Sequence, residues 1–236
     1  MTIVDFKDIT DTVRSTYSAT IRRVCFIRVA VDDLQNTMSG ILSYLLKMSW
    51  LDQFPEPIAN AYQLRAEETI QEIKSRFENH EADRAVDGEI GEYIISVTSL
   101  KTIEQEMRYK AMPLAELLGK KVAGNPGFDF YNQNCANNII IFGEAKYLSN
   151  HNAYGSALRQ INAFDRDQKD IKDLPEINAF CKDEAINNAW NGLKGFAAAF
   201  SATEISSEEL LNHIFDNADF QQLLKHDEII LVAVNL

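Results

Sequence analysis

The feature that most constrains this chain is an apolar run that ends in two opposite charges. Four apolar residues, Ile139 to Phe142, precede the sequence Gly143-Glu144-Ala145-Lys146. The run has the length and the β-branched composition of a buried strand. Because side chains alternate along a strand, Glu144 and Lys146 point to the same face, about 6.5 Å apart along the chain. Burying a carboxylate and an ammonium group at the end of an apolar strand costs free energy, so their presence there indicates a functional role.

A second acid precedes this strand. The segment Gly127-Phe128-Asp129 is predicted to end a first strand, and the polar residues 132–138 are predicted to form the loop between the two strands. The carboxylates of Asp129 and Glu144 are hard oxygen donors that suit Mg²⁺ or Mn²⁺. Lys146 can steady an attacking water or a developing negative charge. The set therefore predicts phosphodiester hydrolysis.

The arrangement of Asp129, Glu144 and Lys146 resembles the PD-(D/E)xK nuclease superfamily. The core motif of that superfamily is an aspartate, a hairpin, and then (Asp/Glu)-x-Lys on the next strand. The superfamily's proline has a counterpart in Pro126, displaced by two residues. The resemblance implies a restriction-endonuclease-like fold, with a central mixed β-sheet flanked by helices. It also implies a Mg-dependent deoxyribonuclease.

The same resemblance implies two further site residues. Glu92, on the helix before the core strands, matches a glutamate that binds metal or metal-bound water, and it is predicted to complete a metal set with Asp129 and Glu144. The alternative is a solvated glutamate at the favourable end of a helix. Gln160, on the following helix, is predicted to line the cleft or to be a boundary residue. Tyr147 is predicted to pack on the opposite face.

A narrower resemblance concerns the small nuclease subunit of Hachiman anti-phage defence systems. It is carried by four segments, Gly88 to Tyr93, Gly127 to Asp129, Gly143 to Tyr147 and Ala157 to Ile161. It implies an effector nuclease that acts on DNA and is controlled by a superfamily-two helicase subunit. The alternative function is a non-catalytic DNA-binding or assembly module that retains the nuclease fold.

The charge balance bears on how such a chain would meet DNA. Acidic residues outnumber basic ones by 35 to 23, which gives a net charge of −12. Because Lys and Arg supply most non-specific affinity for phosphates, we expect a partner to hold the DNA; an ordinary acidic surface is an equal alternative. The basic residues before Asp129 form either a phosphate-facing rim or a solvated surface: Lys101, Arg108, Lys110, Lys120 and Lys121.

The sequence lacks the motifs that would indicate a zinc ribbon, a hydrolase nucleophile, a secretion signal or a membrane span. The three cysteines, Cys25, Cys135 and Cys181, include no Cys-x-x-Cys pair, so a zinc ribbon is not predicted. A thiol or serine hydrolase has no recognisable nucleophile motif here. The N-terminus lacks the apolar region of a secretion signal, and no apolar run reaches the length of a membrane span. The chain is predicted to be cytoplasmic, with reduced thiols and no membrane partner.

The order of predicted elements indicates an α/β (α+β) protein with one domain over residues 1–236. Its core is predicted at about 86–165, with an N-terminal strand-helix elaboration at 1–85 and C-terminal helices and a final strand at 166–236. Strands are predicted at 24–31, 106–112 and 228–235. Helices are predicted after Asp33, at 58–79, from Asp87 and at 153–164. Residues 165–173 are predicted as a linker or frayed helix, and 177–200 as a helix interrupted at Gly192 or Gly195.

Overall fold

The computed structural model describes residues 1–80, 86–119, 127–203 and 205–236. In these ranges, seven strands form one mixed sheet: β1 (Thr2–Asp8), β2 (Arg23–Ala30), β3 (Lys110–Ala111), β4 (Phe130–Asn134), β5 (Ile139–Lys146), β6 (Gly195–Ser201) and β7 (Glu228–Asn235). They lie in the order β1-β2-β7-β6-β5-β4-β3. Strands from all three predicted segments of the chain therefore share this sheet.

The inner strands are parallel and the outer ones antiparallel. β2, β7, β6 and β5 run parallel to one another, whereas β1 pairs antiparallel with β2, and β4 pairs antiparallel with both β5 and β3. The parallel strands are buried along nearly their whole length, as expected when helices cover both faces. Their carboxyl ends meet at one end of the sheet.

Helices cover both faces of the sheet. They are α1 (Thr10–Tyr17), α2 (Leu34–Lys47), α3 (Glu56–Glu78), α4 (Gly88–Met107), α5 (Tyr154–Arg166), α6 (Lys169–Ile177), α7 (Asp183–Trp190), α8 (Ser207–Phe215) and α9 (Ala218–Leu223). α2 to α4 pack on one face, and α1 and α5 to α9 on the other. The predicted mixed sheet between helices is confirmed. Within the described ranges, no helix is both long and apolar enough to span a bilayer.

Local sequence signals explain where several helices begin. The side chain of Asp33 accepts a hydrogen bond from the backbone amide of Asn36, and Asp87 and Ser206 cap α4 and α8 in the same way. These caps satisfy backbone donors that have no partner inside the helix. The predicted starts of α2 and α4 are confirmed, as are the predicted strands β2 and β7.

The helix predicted over 177–200 is wrong in its second half. α7 ends at Trp190, the backbone turns at Gly192 with φ +87°, and residues 195–201 form β6 in the middle of the sheet. The run Ala197 to Ala199 favours a helix by intrinsic propensity. Burial between two helical layers overrides that preference, because small side chains allow helices to pack closely on both faces of an inner strand.

Of the two alternatives predicted for 165–173, the linker is wrong, and the segment is helical except at Asp167 and Gln168. α5 continues to Arg166 and α6 begins at Lys169. The carboxylates are used inside the fold: Lys194 Nζ lies 2.8 Å from Asp165 Oδ1 and also pairs with the buried Asp170. Asp173 accepts a hydrogen bond of 2.8 Å from the hydroxyl of Tyr131. The density of charge therefore reflects a buried ion-pair cluster.

Two predictions around the core hairpin need correction. The polar loop predicted over 132–138 begins only after Asn134, since Asn132 to Asn134 are buried residues of β4. The strand predicted over 106–112 is reduced to the two residues of β3, because α4 continues to Met107. Some polar side-chain atoms in β4 find partners inside the fold. The side chain of Asn134, for example, donates to Glu228 and to Tyr109.

Candidate functional site

The candidate site lies at the carboxyl end of β5, an interior strand. Ile140 and Phe142 of this strand belong to the core beneath α5, and by alternation Glu144 and Lys146 point to that same face. Lys146 Nζ lies 2.7 Å from Glu144 Oε1. The structure thus places the two charges predicted from Glu-x-Lys in direct contact.

Asp129 lies beside this pair, one residue before β4 begins. The register pairs Phe130 with Gly143, so one further step places Asp129 opposite Glu144. Two hydrogen bonds of 2.8 Å hold Asp129: its amide donates to the Gly143 carbonyl, and its Oδ2 accepts from the Ala145 amide. Because both bonds go to the β5 backbone, the position of the Asp129 carboxylate is fixed by the hairpin itself.

Glu144 is buried, with only 1% of its side chain exposed. Its Oε2 has no hydrogen-bond partner in the part of the chain that the structure describes. Burial raises the pKa of Glu144 well above its usual range, and the negative charge of Asp129 raises this pKa further, while Lys146 opposes the change. The neighbouring protein groups therefore do not fully compensate the negative charge of ionised Glu144.

Lys146 is the cation of the cluster. Burial disfavours its ammonium form, but the charges of Glu144 and Asp129 outweigh that cost and raise the pKa of Lys146 above its usual value. Its side chain remains 20% exposed. Lys146 therefore stays protonated, and part of its side chain is open to solvent.

Glu92 is joined to the cluster by its ion pair with Lys146. It lies in the first turns of α4, and its Oε1 lies 3.5 Å from Lys146 Nζ. Among the described residues, no group of three or more His, Cys, Asp or Glu side chains is arranged to hold a metal ion. The predicted set of Asp129, Glu144 and Glu92 is therefore not assembled as three ligands. Two carboxylates face each other across the hairpin, and the third is bound to the lysine.

A second buried glutamate gives a useful comparison. Glu228, at the start of β7 and the opposite end of the sheet, is also 1% exposed. Its Oε2 accepts from the Tyr109 hydroxyl and its Oε1 from the Asn134 amide, both at 2.6 Å. Sequence reasoning missed this network, and an acid that opens an apolar strand is the signal that could have found it. Glu228 has a partner for each oxygen, whereas Glu144 has one for Oε1 alone.

The other residues predicted for the site are Gln160 and the lysines of the basic rim. Gln160 lies half-buried on α5, the helix that covers this face, and no hydrogen bond joins its side chain to another described residue. The ammonium group of Lys101 lies over the Tyr44 ring at 4.4 Å, and that of Lys110 donates to the Phe180 carbonyl at 2.8 Å. These two lysines of the predicted basic rim are thus engaged by the protein. Three other residues noted in the sequence lie outside the described residues: Lys120, Lys121 and Pro126.

The buried cysteine thiols are poor candidates for a catalytic nucleophile. Burial raises the pKa of Cys25 to about 11 and that of Cys181 to about 12. Both thiols therefore stay protonated near neutral pH and are poor nucleophiles.

Comparisons of this chain with protein-family models, with curated proteins and with solved structures gave no match.

Proposed function

We propose that this chain is a metal-dependent deoxyribonuclease that hydrolyses phosphodiester bonds at the cluster of Asp129, Glu144 and Lys146. The observation that carries the proposal is the buried Oε2 of Glu144, which has no partner among the described residues. An unsatisfied buried acceptor costs about 1–3 kcal/mol, and more when it is charged. A divalent cation at this oxygen would remove the cost.

The donor chemistry at the site fits such a cation. Mg²⁺ is usually held by one or two carboxylates, with waters and substrate phosphates filling its other positions. Asp129 and Glu144 would supply the two carboxylates from adjacent strands, and Mn²⁺ accepts the same oxygen donors. The bound ion would supply Lewis acidity at the scissile phosphate.

Lys146 would act on the phosphate directly. Its ammonium group is held at 2.7 Å from Glu144, so its position is set before substrate arrives. A preorganised positive charge stabilises negative charge that develops on the phosphoryl oxygens. Glu92, whose Oε1 lies 3.5 Å from Lys146 Nζ, would orient this ammonium group, and it is not assigned as a metal ligand.

The partner proposed for this nuclease is a superfamily-two helicase subunit, within an anti-phage defence complex. The proposal draws on the resemblance of the motifs around Asp129, Glu144 and Gln160 to Hachiman nuclease subunits. The net charge of −12 supports it physically, because such a chain repels the phosphate backbone at long range. A basic partner would deliver DNA to the site.

The test is cleavage of supercoiled plasmid by the purified chain and by its complex with a helicase subunit. We expect cleavage with Mg²⁺ or Mn²⁺, none with EDTA, and a loss of roughly 10²–10³-fold for Glu144→Gln. Glu228→Gln is the matched control, since it makes the same chemical change at an equally buried glutamate. If neither the chain nor the complex cleaves DNA with either metal, the non-catalytic binding or assembly module is the better assignment.

A further inference from the structure

We propose that Gly91 and Tyr147 are positioning residues that hold Glu92 against Lys146. This inference rests on the proposed function, in which Lys146 acts on the phosphate. It concerns how a helix on one face of the sheet is held at a fixed distance from a charge at the end of β5.

The Tyr147 ring stands directly over the backbone of Gly91. A Cβ atom added to Gly91 would lie 2.3 Å from Cγ of Tyr147, and 2.6 and 2.7 Å from its two Cδ atoms. Such distances are far inside van der Waals contact. Because Cγ is the end of the ring nearest its own backbone, rotation about χ2 does not move it away. Only glycine allows α4 to approach β5 this closely at this point.

Each member of this contact is next to a charged residue of the site. Gly91 precedes Glu92 on α4, and Tyr147 follows Lys146, the last residue of β5. The packing of ring on glycine therefore joins the two elements at the place where Glu92 Oε1 lies 3.5 Å from Lys146 Nζ. A shift of α4 away from the strand end would lengthen the distance between these two atoms.

The hairpin repeats the same arrangement. A Cβ atom on Gly143 would lie 2.3 Å from both Cε2 and Cζ of Phe130. Gly143 precedes Glu144, and Phe130 follows Asp129. The Phe130 ring is fully buried, so a larger residue at position 143 has no room to displace it. Two close contacts between glycine and an aromatic ring thus bring the four charged residues together.

Gly88 provides the control. It lies three residues before Gly91 on α4, and a Cβ atom added there would meet nothing within 4 Å. Gly88→Ala and Gly91→Ala therefore both place alanine near the start of the same helix, but only Gly91→Ala collides with Tyr147. A reactive group misplaced by about 1 Å can lose roughly 10²-fold in rate.

The first measurement does not depend on catalysis. Side-chain NOEs between Glu92 and Lys146, and between the Tyr147 ring and the Gly91 α-protons, are recorded in ¹³C-labelled protein. We expect the Glu92–Lys146 NOEs to disappear in Gly91→Ala and to persist in Gly88→Ala and Tyr147→Phe. If Gly91→Ala does not fold, Tyr147→Ala removes the ring from a half-buried position and should lose the same NOEs. Retention of these NOEs in a folded Gly91→Ala or Tyr147→Ala variant would overturn the proposal.

The second measurement separates positioning from general loss of structure. Plasmid cleavage by Gly91→Ala should fall by roughly 10²-fold in kcat with little change in KM. In a Glu92→Gln background the same substitution should add little, because both changes remove one orienting contact. An additive loss would show that Gly91 acts elsewhere. Absence of cleavage in the wild-type chain and its complex would count against the proposed nuclease function, and the NOEs would still decide whether Gly91 and Tyr147 position Glu92.

Discussion

Glu144 and Lys146, two residues apart on β5, form an ion pair that satisfies one of the two carboxylate oxygens. Oε1 lies 2.7 Å from the ammonium group, while Oε2 is buried with no partner among the described residues. A buried ion pair often stabilises a fold no more than apolar residues of similar size. An incomplete one stabilises it less.

Glu144→Gln and Glu228→Gln are expected to change stability and activity in opposite ways. Glu144→Gln replaces a buried acid whose charged form is poorly compensated, so the melting temperature should stay level or rise, while cleavage falls by roughly 10²–10³-fold. Glu228→Gln replaces an acceptor of two short hydrogen bonds with a group that offers one acceptor. It should keep cleavage and cost about 1–3 kcal/mol. Calorimetry and plasmid assays on both variants measure the two effects.

The exposed Glu106 offers a further control for that comparison. Glu106→Gln lies on the same helix as Glu92 and should change neither stability nor cleavage, since surface substitutions usually stay within about 0.5 kcal/mol. Full cleavage by Glu144→Gln would contradict the assignment of Glu144 to the reaction.

Asp129→Asn is expected to remove stabilisation by metal without unfolding the hairpin. Asparagine keeps an oxygen that can accept the hydrogen bond from the Ala145 amide. In the wild-type chain, Mg²⁺ at about one hundred times its dissociation constant should add about 2.7 kcal/mol of stability, which is roughly 5–11 °C in melting temperature. The shift should be reversed by EDTA and be much smaller in Asp129→Asn. Equal shifts in both proteins would place the ion elsewhere.

The local part of the site could be predicted from the sequence. Alternation along one strand brings Glu144 to Lys146, and a hairpin brings Asp129 to the same end. Neither inference needs knowledge of distant contacts. The attachment of Glu92 to Lys146 could not be predicted, because it depends on how closely α4 approaches β5. That approach is set by the contact between Gly91 and Tyr147, which lie far apart in the sequence.

The strands and helices likewise divide into those that the local sequence predicts and those that depend on distant contacts. β2 and β7 carry dense β-branched runs and were predictable, whereas β6 is rich in alanine and resembles a helix until it is placed between two helical layers. The acids between Asp165 and Asp173 resemble a solvated linker because their main partner, Lys194, lies more than twenty residues later. Compensation of a buried charge by a distant residue leaves no periodic signal in a single sequence.

Asp165→Asn tests this ion-pair cluster through its pH dependence. Burial alone would favour the neutral acid, but hydrogen bonds from His226, Lys194 and Lys225 outweigh it and hold the pKa of Asp165 well below its usual 3.8. A depressed folded-state pKa adds stability above the unfolded value, and that stability is lost as the pH falls. We expect Asp165→Asn to cost about 3 kcal/mol at pH 7. The difference from wild type should narrow below about pH 3.8, by about 1.4 kcal/mol per pH unit.

Urea unfolding of wild type and Asp165→Asn between pH 2 and pH 7 measures that difference. The exposed Asp167, whose carboxylate lies 3.8 Å from the Arg166 guanidinium, provides the control, and Asp167→Asn should differ from wild type by less than about 1 kcal/mol at every pH. A difference for Asp165→Asn that stays constant down to pH 2 would show that the variant acts through packing.

The isolated chain is expected to bind duplex DNA weakly, and its complex with a helicase subunit to bind tightly. Non-specific affinity requires several phosphates to be neutralised by Lys and Arg, yet acidic residues here outnumber basic ones by 35 to 23. Lys101 and Lys110 of the predicted basic rim are held by the Tyr44 ring and the Phe180 carbonyl. Burial also lowers the pKa of Lys101. A salt titration of duplex binding should therefore give a slope shallower than about −3 for the chain alone, and about −6 or steeper for the complex. A steep slope and high affinity for the chain alone at physiological salt would favour a nuclease that works without a partner.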